Sequence, residues 1–171
     1  MEIKQKSALE DYMSLPEGYP AELIGGEIIV SPSPSAKHQK IAGDLFFKMR
    51  LFKETKKIPG EIFYEIDVRL SNEDVVRPDI VYVSDESKIG EWIEGAPDLV
   101  VEILSPTSAM RDLVDKKDLY ERSGVKEYWV VDPENEEMIV FYNEGGRFEV
   151  SCRGKECESR VLKGFRWGFE G

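Results

Sequence analysis

The sequence predicts an α/β (α+β) chain built on a mixed sheet, and three observations lead there. Residues 98–104 (DLVVEIL) are largely apolar on both faces, the mark of a central strand. A helical run follows and stops at Gly124, after which residues 126–131 (KEYWVV) read as a second buried strand. Elsewhere, short alternating segments are separated by Gly, Pro, Asn and Asp turns, the pattern of hairpins. Strands and helices interleaved in one chain pack as helices flanking a sheet.

Taken in order, residues 1–20 are a helical lead-in closed by PEGYP, because Ser14-Leu15-Pro16 limits the helix. Residues 22–24 and 27–30 form a hairpin across Gly25-Gly26, and SPSPS ends its second strand. Residues 36–56 are a helix, since His38, Ile41, Leu45, Met49 and Phe52 recur at spacings of three and four. Residues 61–70 (EIFYEIDVRL) alternate as a strand, and 77–83 (RPDIVYV) are another, with its proline at the start. Residues 84–97 are a loop with a short helical piece. In the central strand Asp98, Val100, Glu102 and Leu104 share one face, and Leu99, Val101 and Ile103 the other. Ser105-Pro106-Thr107-Ser108 ends that strand and caps a helix from about 109 to 123. Beyond 131, MIVFYN and RFEVSC make a second hairpin, and ESRVLKGFRWGF supplies one more strand.

Length and composition narrow the function classes. A chain of 171 residues fits one domain, 1–171, and 41% apolar residues with 8 Phe, 7 Tyr and 3 Trp exclude a disordered chain. No apolar run has transmembrane length, and MEIKQKSALEDY lacks the apolar core of a signal peptide, so a cytoplasmic protein with no membrane partner is expected. In such a reducing compartment Cys152 and Cys157 are expected to be two ordinary thiols, and one pair cannot complete a tetrahedral zinc site. The net charge of −11 opposes strong non-specific nucleic-acid binding. One region runs against it: Lys37, Lys40, Lys48, Arg50, Lys53, Lys56 and Lys57 face only Asp44 and Glu54. A solvated helix face accounts for that run, and a phosphate-tracking face is the alternative.

Two acids stand where core residues belong. Asp79 opens one apolar strand and Glu102 sits inside another; a lone buried carboxylate costs several kcal/mol unless it is paired or holds a cation. Asp112, Lys116 and Tyr120, at i, i+4 and i+8, present a lysine on the helix that follows. Two carboxylates on neighbouring strands with a lysine nearby suggest a small hard-metal site. The plainer alternative makes Asp79 a turn cap and Glu102–Lys116 a buried ion bridge without catalysis. His38 begins the inward stripe of its helix, either as a hydrogen-bonded core histidine or as a site residue, and Glu22 or Glu27 of the hairpin are secondary candidates.

Together ELIGGEIIV with His38, RPDIVYV, DLVVEILSPTS, the Asp112–Lys116–Tyr120 helix and GVKEYWVVD resemble the Uma2-type (DUF820-like) proteins, a branch of the PD-(D/E)XK nuclease-like superfamily. The resemblance implies a restriction-endonuclease-like core and a Mg²⁺-dependent DNA endonuclease, with Mn²⁺ able to substitute. It implies Asp79 and Glu102 as metal ligands with the backbone carbonyl of Ile103, and His38 beside them. The superfamily's lysine two residues after the second acid is absent, since Leu104 stands there; the Uma2-type pattern carries it on the next helix, at Lys116, with Lys117 as fallback. DNA is then the expected substrate, and a homodimer is expected for cutting both strands. The alternative is an inactive member of the fold that binds DNA or a protein.

Overall fold

In the computed structural model, which describes residues 7–106 and 112–170, the strands fall into two mixed sheets and a short ribbon. The chain opens with α1 (Ala8–Met13), started by a reciprocal cap between Ser7 and Glu10. The predicted hairpin forms as β1 (Ala21–Ile24) and β2 (Glu27–Val30), antiparallel. Helix α2 (Ala36–Lys56) begins at Ser35, whose Oγ accepts the His38 N–H at 3.1 Å. His38, Leu45 and Met49 of its stripe are buried. So is Lys53, beside Glu54, which removes it from the solvated basic face.

One segment expected to be a single strand is divided between the sheets, and a second is shorter than expected. Residues 61–70 give β3 (Glu61–Tyr64) and β4 (Val68–Arg69), broken at Glu65, which takes φ 47°. Of residues 77–83 only 80–83 form a strand, β6 (Ile80–Val83); β5 (Val75–Val76) precedes them in the smaller sheet, so Arg77-Pro78-Asp79 is the crossing and the proline is not at a strand start. A 3₁₀ turn (Glu86–Lys88) and β7 (Ile93–Glu94) lead to β8 (Leu99–Ile103). After the next helix come β9 (Glu127–Asp132), β10 (Glu137–Glu144) and β11 (Arg147–Gly154). The larger sheet runs β11-β10-β9-β8-β6-β3, with β8 and β9 parallel; the smaller runs β2-β1-β5-β4-β7. The tail yields two short strands, β12 (Glu156–Glu158) and β13 (Arg166–Gly168), paired with each other.

Strand β8 is central, as its two apolar faces require. Leu99, Val101 and Ile103 pack with Leu45 and Met49 of α2, while Val100 and Leu104 pack with Leu119 and Tyr120. Those last two belong to α3 (Lys117–Ser123), which continues a π-helical turn, Asp112–Lys116. The predicted start of this helix, the Thr107-Ser108 cap and the Asp112 side chain lie outside the described residues. Its end is as expected: Gly124 takes φ 90°, a conformation other residues rarely adopt.

The cysteines correct an expectation. Cys152 and Cys157 are joined in a disulfide, with Cα atoms 5.9 Å apart. The turn between β11 and β12 folds them together, a proximity that a compartment argument ignores. Nearby, the buried Glu127 carboxylate accepts from Trp129 Nε1 (2.8 Å), Ser159 Oγ (2.6 Å) and the N–H groups of Arg160 (2.8 Å) and Val161 (3.4 Å), fastening the C-terminal turn to β9. No helix among the described residues is long and apolar enough to cross a membrane.

Candidate functional site

The candidate site lies where β6 and β8 end side by side. Their last antiparallel pair is Ile80 with Val101, so one step further Asp79 falls opposite Glu102. Asp79 is held at both oxygens: Oδ2 accepts the Ile103 N–H at 2.7 Å, and Oδ1 lies 3.3 Å from His38 Nε2. That hydrogen bond raises the His38 pKa above its ordinary value, against burial, with help from the charge of Asp79. His38 Nδ1 is buried and has no partner among the described residues.

Glu102 points toward α3. Its Oε1 accepts from Tyr120 OH at 2.7 Å and lies 3.1 Å from Lys116 Nζ. Burial pushes the Tyr120 phenol well above its usual value, with the charges of Glu102 and Glu22 adding to it, so it stays a hydrogen-bond donor. Lys116 also reaches Glu22, at 3.1 Å from Oε1 and 3.0 Å from Oε2. All three charged groups are buried. Glu22 is fixed in turn, its Oε1 accepting the Arg77 N–H at 2.7 Å.

A second set of bonds ties α1 to this wall. Arg77 Nε donates to Asp67 at 2.8 Å, and Tyr12 OH donates to the same carboxylate at 3.2 Å. Burial, then the Asp67 charge, pushes the Tyr12 phenol up to about 12. These elements enclose a cavity of about 290 Å³ lined by Glu22, His38, Glu65, Asp79, Glu102, Ile103 and Lys116, with the Ser31–Ser33–Pro34 loop and Arg77 beside them.

The structure thus brings together Asp79, Glu102, Ile103, Lys116 and His38. Glu27 is exposed and does not line the cavity. Lys117 lies over the Phe141 ring, 5.2 Å from its centroid, which removes it as an alternative to Lys116. Glu65 and Arg77 were not singled out from the sequence, and Glu22 was no more than a secondary candidate. One signal was available for Glu22: an acid between Ala21 and Leu23 on a strand that buries all three.

Oxygen donors dominate the set, which suits a hard cation. Among the described residues no three His, Cys, Asp or Glu side chains converge as a metal cluster. Asp79, Glu102 and Ile103 line one cavity, and a Mg²⁺ ion needs no more than one or two carboxylates, filling its shell with waters and substrate oxygens.

The model of the Uma2 family, described as "Putative restriction endonuclease", matches residues 9–169. Among solved structures, the chain is similar to a "putative nuclease belonging to DUF820" from Anabaena variabilis, at 25% identity and a TM-score of 0.72, over 85% of this chain and 84% of that one. No curated protein matches.

Proposed function

The chain belongs to the Uma2 family, and from that membership we propose that it is a nuclease, hydrolysing DNA phosphodiester bonds with Mg²⁺ or, in its place, Mn²⁺. The observation that carries this reading is the convergence of Asp79, Glu102 and Lys116 on one cavity. Asp79, Glu102 and the Ile103 carbonyl would hold the cation. When bound, it polarises the scissile phosphate and lowers the pKa of a water.

The remaining work falls to the chain. Asp79 is kept in one orientation by the Ile103 N–H and His38, and Glu102 by Tyr120. Lys116 brings a positive charge to the place where the phosphate gains negative charge on the way to the transition state. Lys116→Met should therefore slow Mg²⁺-dependent cleavage of plasmid DNA by at least about a hundredfold. A parent-like rate would remove the lysine from the mechanism.

Helix α2 offers a way for DNA to approach an acidic protein. Its first turn lines the cavity through His38, and it contains no acid there to oppose a phosphate. Lys37 and Lys40 lie in or beside that turn, and Lys48 is about 15 Å further along the axis. Changing all three to Glu should weaken DNA binding and flatten its dependence on salt. An unchanged salt slope would make this an ordinary solvated face. One Asp79–Glu102 pair serves one strand at a time, so cutting a duplex at one place would use two copies of the chain.

One observation favours a second reading, a catalytically inactive member that binds DNA or protein: Lys116 is already paired with both Glu22 and Glu102. A crystal soaked in Mn²⁺ separates the two. Density at Asp79 and Glu102 supports the nuclease, and an ion pair left intact supports the binder.

A further inference from the structure

We infer that Glu22 is the second seat of the Lys116 ammonium, the carboxylate that retains it when a divalent cation takes Glu102; the inference rests on the metal-site reading above. Lys116 and a bound cation would compete for the same acid. The ammonium stands 3.1 Å from Glu102 Oε1, and a divalent charge on that carboxylate would repel it. Withdrawal to water is closed to it, because Lys116 is only 5% exposed. It needs another carboxylate within reach, and Glu22 already meets it with both oxygens, at 3.0 and 3.1 Å.

Two fixed bonds give the exchange a direction. Glu22 accepts the Arg77 backbone N–H at 2.7 Å, which holds its carboxylate in place beside the ammonium. Glu102 accepts from Tyr120 at 2.7 Å, so it keeps a neutral donor when the lysine leaves. Glu22 is therefore a positioning residue for Lys116 and acts on the cation through it. The ion pair then becomes the resting state of a metal site, with the lysine withdrawn by a short shift and still beside the reacting phosphate.

The sign of the effect of Lys116 on metal affinity tests this, independently of activity. Mn²⁺ binding is measured by titration calorimetry on the full chain, for the parent, Lys116→Met, Glu22→Gln and the double variant, with Asp79→Asn as control. The Glu22→Gln side chain keeps an oxygen for the Arg77 N–H, and Lys116→Gln replaces Lys116→Met if the latter does not fold. Lys116→Met should bind Mn²⁺ about tenfold more tightly than the parent, a competitor having been removed. Glu22→Gln should bind about tenfold more weakly, because the charge that draws the ammonium away from Glu102 is then gone. With Lys116 already replaced, most of that Glu22→Gln effect should vanish. An equal loss in both backgrounds makes Glu22 a direct ligand and overturns the inference, as does unchanged or weaker binding by Lys116→Met. A parent that binds no Mn²⁺, or an Asp79→Asn variant that binds as the parent does, removes the metal-site reading itself.

Discussion

Asp79→Asn and Glu102→Gln should each lower Mg²⁺-dependent DNA cleavage by about a thousandfold or more while leaving the protein folded. The size follows from the several kcal/mol of charge stabilisation that a catalytic cation supplies. The fold should survive because both replacements keep an acceptor in place. The amide introduced by Asp79→Asn retains an oxygen for the Ile103 N–H, and that of Glu102→Gln retains one for the Tyr120 hydroxyl. Lys116 keeps Glu22 in either case. Cleavage rates across a Mg²⁺ titration, read beside a thermal melt, check the expectation. A variant that cuts at the parent rate would show that the acid plays no part, whatever its position in the cavity.

The largest expected loss of stability lies far from the cavity. Glu127→Ala should cost about 3–5 kcal/mol, because a buried donor left unpaired costs about 1–3 kcal/mol and two of the four that this carboxylate serves, Trp129 Nε1 and Ser159 Oγ, are in buried bonds. For a chain of this size that corresponds to a melting temperature lower by roughly 10 °C. Glu127→Gln should recover part of the loss: it keeps one acceptor oxygen but turns an amide N–H₂ toward other donors. Urea unfolding of the three proteins gives the comparison. An alanine variant that melts with the parent would mean that water replaces the carboxylate without cost.

Glu102 and Glu127 also show what was legible in the sequence. Glu102 was conspicuous because a charge interrupts a run whose neighbours are apolar on both faces, and burial of that whole strand is what the structure shows. Glu127 carried the same signal at the start of KEYWVV. It was overlooked because its partners at 159–161 are more than 30 residues away, and nothing local marks them. The two hairpins, α2 and the stop at Gly124 rest on short-range rules, and they appeared where those rules put them.

What the pattern could not show was a change of sheet. Alternation with period two continues through Glu65, because it reports which face a residue occupies and not which neighbour the backbone bonds to, and Arg77-Pro78-Asp79 leads without a break into the apolar run of β6. At the cavity, Asp79, Glu102 and Lys116 could be named from residue type and spacing. The role of Glu22 could not, since its partner lies 94 residues along the chain. The disulfide was missed for a different reason: the expectation rested on cellular chemistry, while a turn of the backbone set the distance.

Two of the three direct crossings between the sheets, 65–67 and 77–79, have a mechanical meaning; the third, 95–98, joins β7 to β8. Glu65 and Asp79 both line the cavity and sit on the links where the chain passes from one sheet to the other. A link tied into both sheets moves less against either of them than a strand that only one sheet holds. Glu22 is on β1, next to β5, and is bonded to Arg77 in the link itself. β1 is one strand, about 4.8 Å, away from β5 and its link. The outermost strand, β2, is about twice as far. Asp79 thus sits where the chain is tied into both sheets, so a displacement of the outer strands of the smaller sheet reaches it attenuated.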